Sequence, residues 1–187
     1  MIEYTIVIEG IVPLLQHRYV FKDELEQASK KKSGSIDYTE EWKKGLYYTE
    51  ETGLYQPAVH IEGAMIKAAS NFQITGRGKR TYKDLFKSAV FVAPDAISYG
   101  YDGMDADGLR AAGKISVHRA VVVVAKSRVE RLRPMLPVGW RLSFTVQVHD
   151  EQIQKSVLKD ILDHAGKFVG IGDYRPRYGR FLVTHFE

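Results

Sequence analysis

The sixteen residues GKFVGIGDYRPRYGRF, Gly166 to Phe181, contain four glycines, one lysine, three arginines and four aromatic rings. Arginine forks match phosphate oxygens two at a time. Main-chain amides at glycine turns can converge on an anion, and tyrosine rings stack on bases. The segment therefore suits a phosphate-rich, base-bearing ligand held by Lys167, Gly170, Gly172, Tyr174, Arg175, Arg177, Tyr178 and Arg180. It also suits an ordinary basic turn in which Gly166 caps a helix and Tyr178 packs inward. A nucleotide loop of the Walker or dinucleotide type is excluded, because GIGDYRPRYG lacks the GK[ST] ending and follows no strand.

Other cations cluster as well. Arg77, Lys79, Arg80, Lys83 and Lys87 stand against Asp84, and Lys126, Arg128, Arg131, Arg133 and Arg141 against Glu130, while residues 36–62 carry a local balance of −4. The GRGKRTYKDLFK segment reads as a mobile basic loop, with Tyr82 as a stacking ring and Leu85 and Phe86 as anchors. Arg18, after PLLQHR, and Lys67 are further candidates. A fold that gathers these segments makes one basic face; otherwise they are separate solvated surfaces.

Catalytic patterns are sparse. The six histidines, His17, His60, His118, His149, His164 and His185, show no HExxH spacing, and no nucleophile elbow is present. The chain has no cysteine, which removes disulfides, thiol catalysis and cysteine-ligated zinc. No catalytic residue, metal or cofactor is expected. A 44% hydrophobic, 27% charged composition over 187 residues fits one globular domain. No apolar run reaches the ~18 residues of a membrane span, so a cytoplasmic protein without membrane contact is expected.

The elements that must position these residues follow from periodicity. Ile2, Tyr4, Ile6 and Ile8 alternate with polar partners, predicting a strand with one buried face. Residues 19–52, containing KKKSGS, read as an insertion. QPAVHIEGAMIKAASNF sets Ile61, Met65, Ala68 and Phe72 on one helical side. AVFVAP is a short added strand, followed by a loop over 98–113. VHRAVVVVAKSRVERLRP and WRLSFTVQV are predicted to form a long antiparallel hairpin whose tip, near Pro134, Pro137 and Gly139, carries Arg128, Arg131 and Arg133. A helix over 152–165 ends at Gly166 in a left-handed cap, and RFLVTHF closes the chain as a strand. The order is strand, helix, strand, strand, helix, strand: an α+β, ferredoxin-like or RNA-recognition-motif βαββαβ core with a long basic hairpin and an insertion after the first strand.

On this order, PAVHIEGAMIKAA and AGKFVGIGDYRPRYGRF, the chain resembles the RAMP superfamily, the repeat-associated proteins of CRISPR effector complexes, and above all their backbone subunits. The resemblance implies a glycine-rich loop, with Gly166, Gly170, Gly172 and Gly179 in the matching positions, lying against RNA in an antiviral defence complex. The pattern departs where Gly179 is followed by Arg180 and Phe181, and a phage or prophage relative fits the same residues. The expectation is a non-catalytic protein that coats single-stranded RNA or DNA as a homo-oligomer or filament, with Glu40, Glu41, Glu50 and Glu51 of one copy meeting the hairpin around Arg131 of the next. The alternatives are a phage structural or assembly protein without nucleic acid, and a metal-independent RNA endonuclease using His17 or His60.

Overall fold

The computed structural model describes residues 1–20, 40–124 and 126–187. Among them the elements run β1 (Ile2–Gly10), β2 (Leu14–Leu15), α1 (Glu41–Lys44), β3 (Tyr48–Thr49), β4 (Gly53–Pro57), α2 (Ala58–Ala69), α3 (Lys83–Ala89), β5 (Val90–Ala93), β6 (Ala96–Ser98), α4 (Ala106–Ala111), β7 (Ser116–Val124), β8 (Ser127–Leu136), β9 (Arg141–Val148), α5 (Lys155–His164), a π-helical turn (Ala165–Val169) and β10 (Phe181–Phe186). KKKSGS lies outside the described residues.

The main sheet has the order β10-β1-β9-β5 with every neighbouring pair antiparallel. Together with α2 and α5 this is the ferredoxin-like topology. Strand alternation puts Tyr4, Ile6 and Ile8 of β1 and Leu142, Phe144, Val146 and Val148 of β9 on the buried side. There they meet Ile61, Met65 and Ala68 of α2 and Leu158, Ile161 and Leu162 of α5. Ile2, at the strand's start, is exposed and not part of that buried face.

Two strand assignments differ from the sequence pattern. AVFVAP supplies β5, the second core strand at the sheet edge, and is not an addition. The long hairpin is β7 with β8, in register from Ser116↔Met135 to Val124↔Ser127, inside a separate sheet ordered β2-β8-β7. The last pair there is Val124↔Ser127, with Lys126 at φ 71. A turn without Gly or Asn carries no sequence signal for the left-handed backbone that such connections use. Pro137 and Gly139 mark the place where the chain changes sheets, since β9 pairs with β1 and β5 instead of β8. Arg128 accordingly lies near the hairpin tip and Arg131 and Arg133 farther down. No bulge interrupts the register, so Arg128 points to the face opposite theirs.

Other local expectations also change. Trp42 and Leu46, within the supposed insertion, are buried in the core. The 98–113 loop contains α4, capped by Asp105 accepting from the Gly108 amide at 2.8 Å. The 74–80 turn is closed by main-chain bonds from Ile74 to Arg80 and from Arg77 to Ile74, and α3 begins directly after it with Phe86 buried. Tyr82 packs against the core instead of standing free. Gly166 does not stop α5: the helix continues through the π turn, and Gly170 at φ 71 forms the cap, its amide donating to Ala165 O at 2.8 Å.

Candidate nucleic-acid interface

The glycine-rich loop is bonded into the body of the protein. Ile171 N–H donates to Gly179 O, Asp173 N–H to Leu15 O and Gly179 N–H to Pro13 O, each at 2.8–2.9 Å. Tyr174 N–H goes to Asp173 Oδ1, and Tyr178 N–H to Tyr174 O. These donors already have acceptors and are not free to converge on an anion. The glycines instead permit close backbone approach. A Cβ on Gly172 would collide with Leu15 O, and one on Gly179 with Ile171 O.

The loop's side chains gather with others distant in sequence. Arg133 of β8, its side chain only 9% exposed, donates through Nε to His17 Nδ1 at 3.2 Å and forms an ion pair with Asp173 Oδ2 at 2.6 Å. Its guanidinium stacks over Tyr174 at 5.2 Å. Tyr178 packs edge-on against His118 and Tyr174, so of the loop's two tyrosines Tyr174 is the exposed one. Arg175 and Arg177 are exposed beside it. Burial, and then the charge of Arg175, lowers the His60 pKa; burial, Arg133 and Arg177 lower that of His118.

Between the loop and the start of α2 opens a cavity of about 280 Å³ lined by His17, Tyr47, His60, Arg133, Gly172 and Asp173. A buried amide network supports it. Tyr99 O–H donates to Gln56 Oε1 at 2.9 Å, and Gln16 Nε2 donates to the same oxygen at 3.2 Å and to Tyr55 O at 2.9 Å. Gln16 Oε1 accepts from Tyr47 N–H at 3.0 Å, and Gln56 Nε2 meets His60 Nδ1. Burial, and then Tyr55, raises the Tyr47 pKa against the charge of Arg18. The sequence pointed to His17 and His60 only singly. Tyr47, Gln16, Gln56, His118 and Asp173 were missed, and the only local signal is the four-residue step from Gln56 to His60 on the first turn of α2.

The remaining candidates are dispersed. Lys67 lies seven residues, about 10 Å, along α2 from His60 on the same side. Lys167 is exposed on the π turn that packs against α2. Arg77, Lys79 and Arg80 are exposed in the turn before α3, and Lys83 is exposed on its first residue. Arg131 is paired with Glu41 at 2.7 Å, and Arg128 has no ion-pair partner among the described residues. Arg180 is half-buried, with its Nε unpartnered. The postulated contact between copies is partly closed within one chain, since Glu41 holds Arg131 and Glu40 holds Lys43. Among the described residues, no group of three or more acidic or histidine side chains is placed to hold a metal, and no helix is long and apolar enough to cross a membrane.

No family model and no curated protein matches the chain. Solved structures are similar in shape, among them the following three. A Type IV-B CRISPR complex chain has a TM-score of 0.49 and 9% identity, covering 100% of this chain and 90% of its own. A Type III-B Cmr-beta complex bound to cognate target RNA has a TM-score of 0.47 and 15% identity, with 99% and 60% covered. Cmr6 from Pyrococcus furiosus has a TM-score of 0.47 and 10% identity, with 98% of each chain covered.

Proposed function

We propose that this protein holds single-stranded RNA or DNA across the glycine-rich loop and the cavity beside it, without cutting it. The observation that carries the reading is convergence: Arg133 lines the cavity, and from a segment some forty residues away Arg175 lies near enough to His60, and Arg177 to His118, to act on their charge, with Tyr174 as an exposed ring. Backbone phosphates give such a surface its affinity, and the ring adds about 1–3 kcal/mol per stacked base. The open face of the main sheet offers less to such a ligand, because Glu3, Thr5, Glu9, Arg141 and Ser143 line it and Phe91, on the edge strand β5, is its exposed aromatic ring among the residues of β1, β5 and β9.

Absence of catalysis is part of the proposal. It is supported by the Nδ1 atoms of His17 and His60, each facing an N–H donor; neither histidine then has a lone pair free to act as general base. Service in a CRISPR-type effector complex, and copies lying side by side along one strand, extend the proposal. The support for side-by-side binding is the small footprint of one such unit, which makes neighbouring copies add avidity. The test is fluorescence anisotropy with labelled single-stranded oligonucleotides, where binding should weaken steeply with salt and depend little on sequence. No binding at micromolar protein in low salt, together with purified protein free of nucleic-acid absorbance, favours the structural-protein alternative.

A further inference from the structure

The cavity beside the glycine-rich loop carries a more specific reading. Gln56 Oε1 accepts from both Tyr99 O–H and Gln16 Nε2, so that atom is the oxygen, and the amide nitrogen is the one that meets His60 Nδ1. Nδ1 of His60 is therefore an acceptor and its proton sits on Nε2. At His17, Nδ1 faces the Nε–H of Arg133, a group that can only donate; the same tautomer follows. Both imidazoles thus present Nε2–H, a neutral donor, as their remaining polar atom. Arg133 adds a third donor: its side chain is more than nine-tenths buried, it lines the cavity, and its Nη1 has no partner. An unpaired buried donor costs about 1–3 kcal/mol, more when charged, and a ligand oxygen would recover it. Asp173, the one anion in the lining, has both oxygens engaged, Oδ2 by Arg133 and Oδ1 by Tyr174 N–H.

Donor-bearing residues of β8, α2 and the segment after β2 thus line one cavity. An oxygen-rich anion fits that set of groups. We infer that this cavity is a phosphate site in which His17 and His60 serve as neutral N–H donors beside Arg133. The inference rests on the nucleic-acid reading for the identity of the ligand, and the phosphate is either an internal diester or a strand's terminal monoester. Held this way, the group is bound at pH values where free imidazole is uncharged, and the two histidines act as positioning groups.

Two measurements test it on the full chain. In ¹H–¹⁵N spectra of the imidazoles at pH 7, His17 and His60 are expected as Nε2–H tautomers, and their signals should move on titration with inorganic phosphate. Nδ1–H tautomers, imidazolium at pH 7, or no movement up to tens of millimolar phosphate would overturn the assignment. The second measurement compares the binding of 5′-phosphorylated and 5′-hydroxyl oligonucleotides of one sequence by wild type and by His17→Phe, a change at a half-exposed position that the fold should tolerate. About tenfold weaker binding by the variant is expected. If that loss appears with both oligonucleotides the phosphate is internal, and if only with the phosphorylated one it is terminal; unchanged binding of both overturns the site. Imidazole shifts with phosphate but no oligonucleotide binding by wild type would remove the nucleic-acid reading and leave the anion site standing. Oligonucleotide binding without phosphate shifts would do the reverse.

Discussion

Two loops of this protein look alike as strings, TGRGKRTYK at 75–83 and GIGDYRPRYGR at 170–180, both rich in glycine, cations and tyrosine. They differ in what their glycines touch. A Cβ on Gly76 or Gly78 would meet nothing within 4 Å, whereas one on Gly172 or Gly179 would run into the carbonyl oxygen of Leu15 or Ile171. In the first loop glycine serves only the left-handed backbone of a surface turn. In the second it also allows the chain to lie against the segment after β1. Cations of both loops are exposed, Arg77, Lys79 and Arg80 in the first and Arg175 and Arg177 in the second, but the second loop also covers Arg133 of β8, held by Asp173 and Tyr174. A similar composition thus yields a solvated charged turn in one place and a shaped, prepaid cluster of donors in the other.

The largest effect expected from this contrast is on stability. Gly179→Ala combines a left-handed φ of 74 with a backbone collision, and should cost about 3 kcal/mol or more. That corresponds to a fall in Tm of roughly 6–12 °C for a chain of this length. Gly76→Ala keeps only the conformational cost, about 1 kcal/mol. Equal shifts in thermal melts would erase the distinction between the loops.

Arg133→Leu comes next. It leaves Asp173 facing a largely buried site without its partner; with that carboxylate a third exposed, a cost of about 2 kcal/mol is expected, below the range for fully buried pairs. Arg80→Leu should stay within about 0.5 kcal/mol. Chemical denaturation compares the two, and a neutral Arg133→Leu would show that the cluster does not hold the loop.

A third effect is on binding alone. Replacing Arg175 and Arg177, both exposed, by Ala should lower the slope of log affinity against log salt by about 1.4–1.8, with Tm unchanged. Replacing Lys43 and Lys44 should change the slope little, because Lys43 is already paired with Asp107 at 2.7 Å and with Glu40. Equal changes from the two pairs would mean that net charge alone governs binding.

The smallest effect is on pH. Burial lowers the pKa of both His60 and His118 in the folded state. A histidine depressed on folding leaves stability complete above its unfolded pKa of about 6.5 and removes it as pH falls below that value. The melting temperature should therefore be level from pH 8 to 7 and decline on acidification past pH 6.5, less so in His60→Gln. A decline that is the same in the variant would assign the effect to other groups.

Much of the frame was legible in the sequence for a local reason. β1 and β9 show a period of two over eight or nine residues, and α2 and α5 show the helical period, so their buried faces are written within each segment. The β7–β8 turn was not legible, because Lys126 adopts a left-handed backbone without the residue type that advertises it. Nor was the role of AVFVAP, since four residues cannot reveal whether they pair with β9 or stand apart.

The sequence by itself determined the α+β order, the positions of the cations and the glycine spacing of the last loop, all properties of neighbours along the chain. Only the tertiary structure decided which of those residues come together around one cavity. Gln16 meets Gln56 across 40 positions and Arg133 meets His17 across 116. Partners so far apart share no periodicity. They are brought together when β8 leaves one sheet and β9 enters another, and when the glycines at 172 and 179 let the loop's backbone settle against residues 13–15. The donor that faces His17 is 116 positions away, and although Gln56 is only four residues from His60, the orientation of its amide is set by Gln16 and Tyr99 across 40 and 43 positions, which no local pattern encodes.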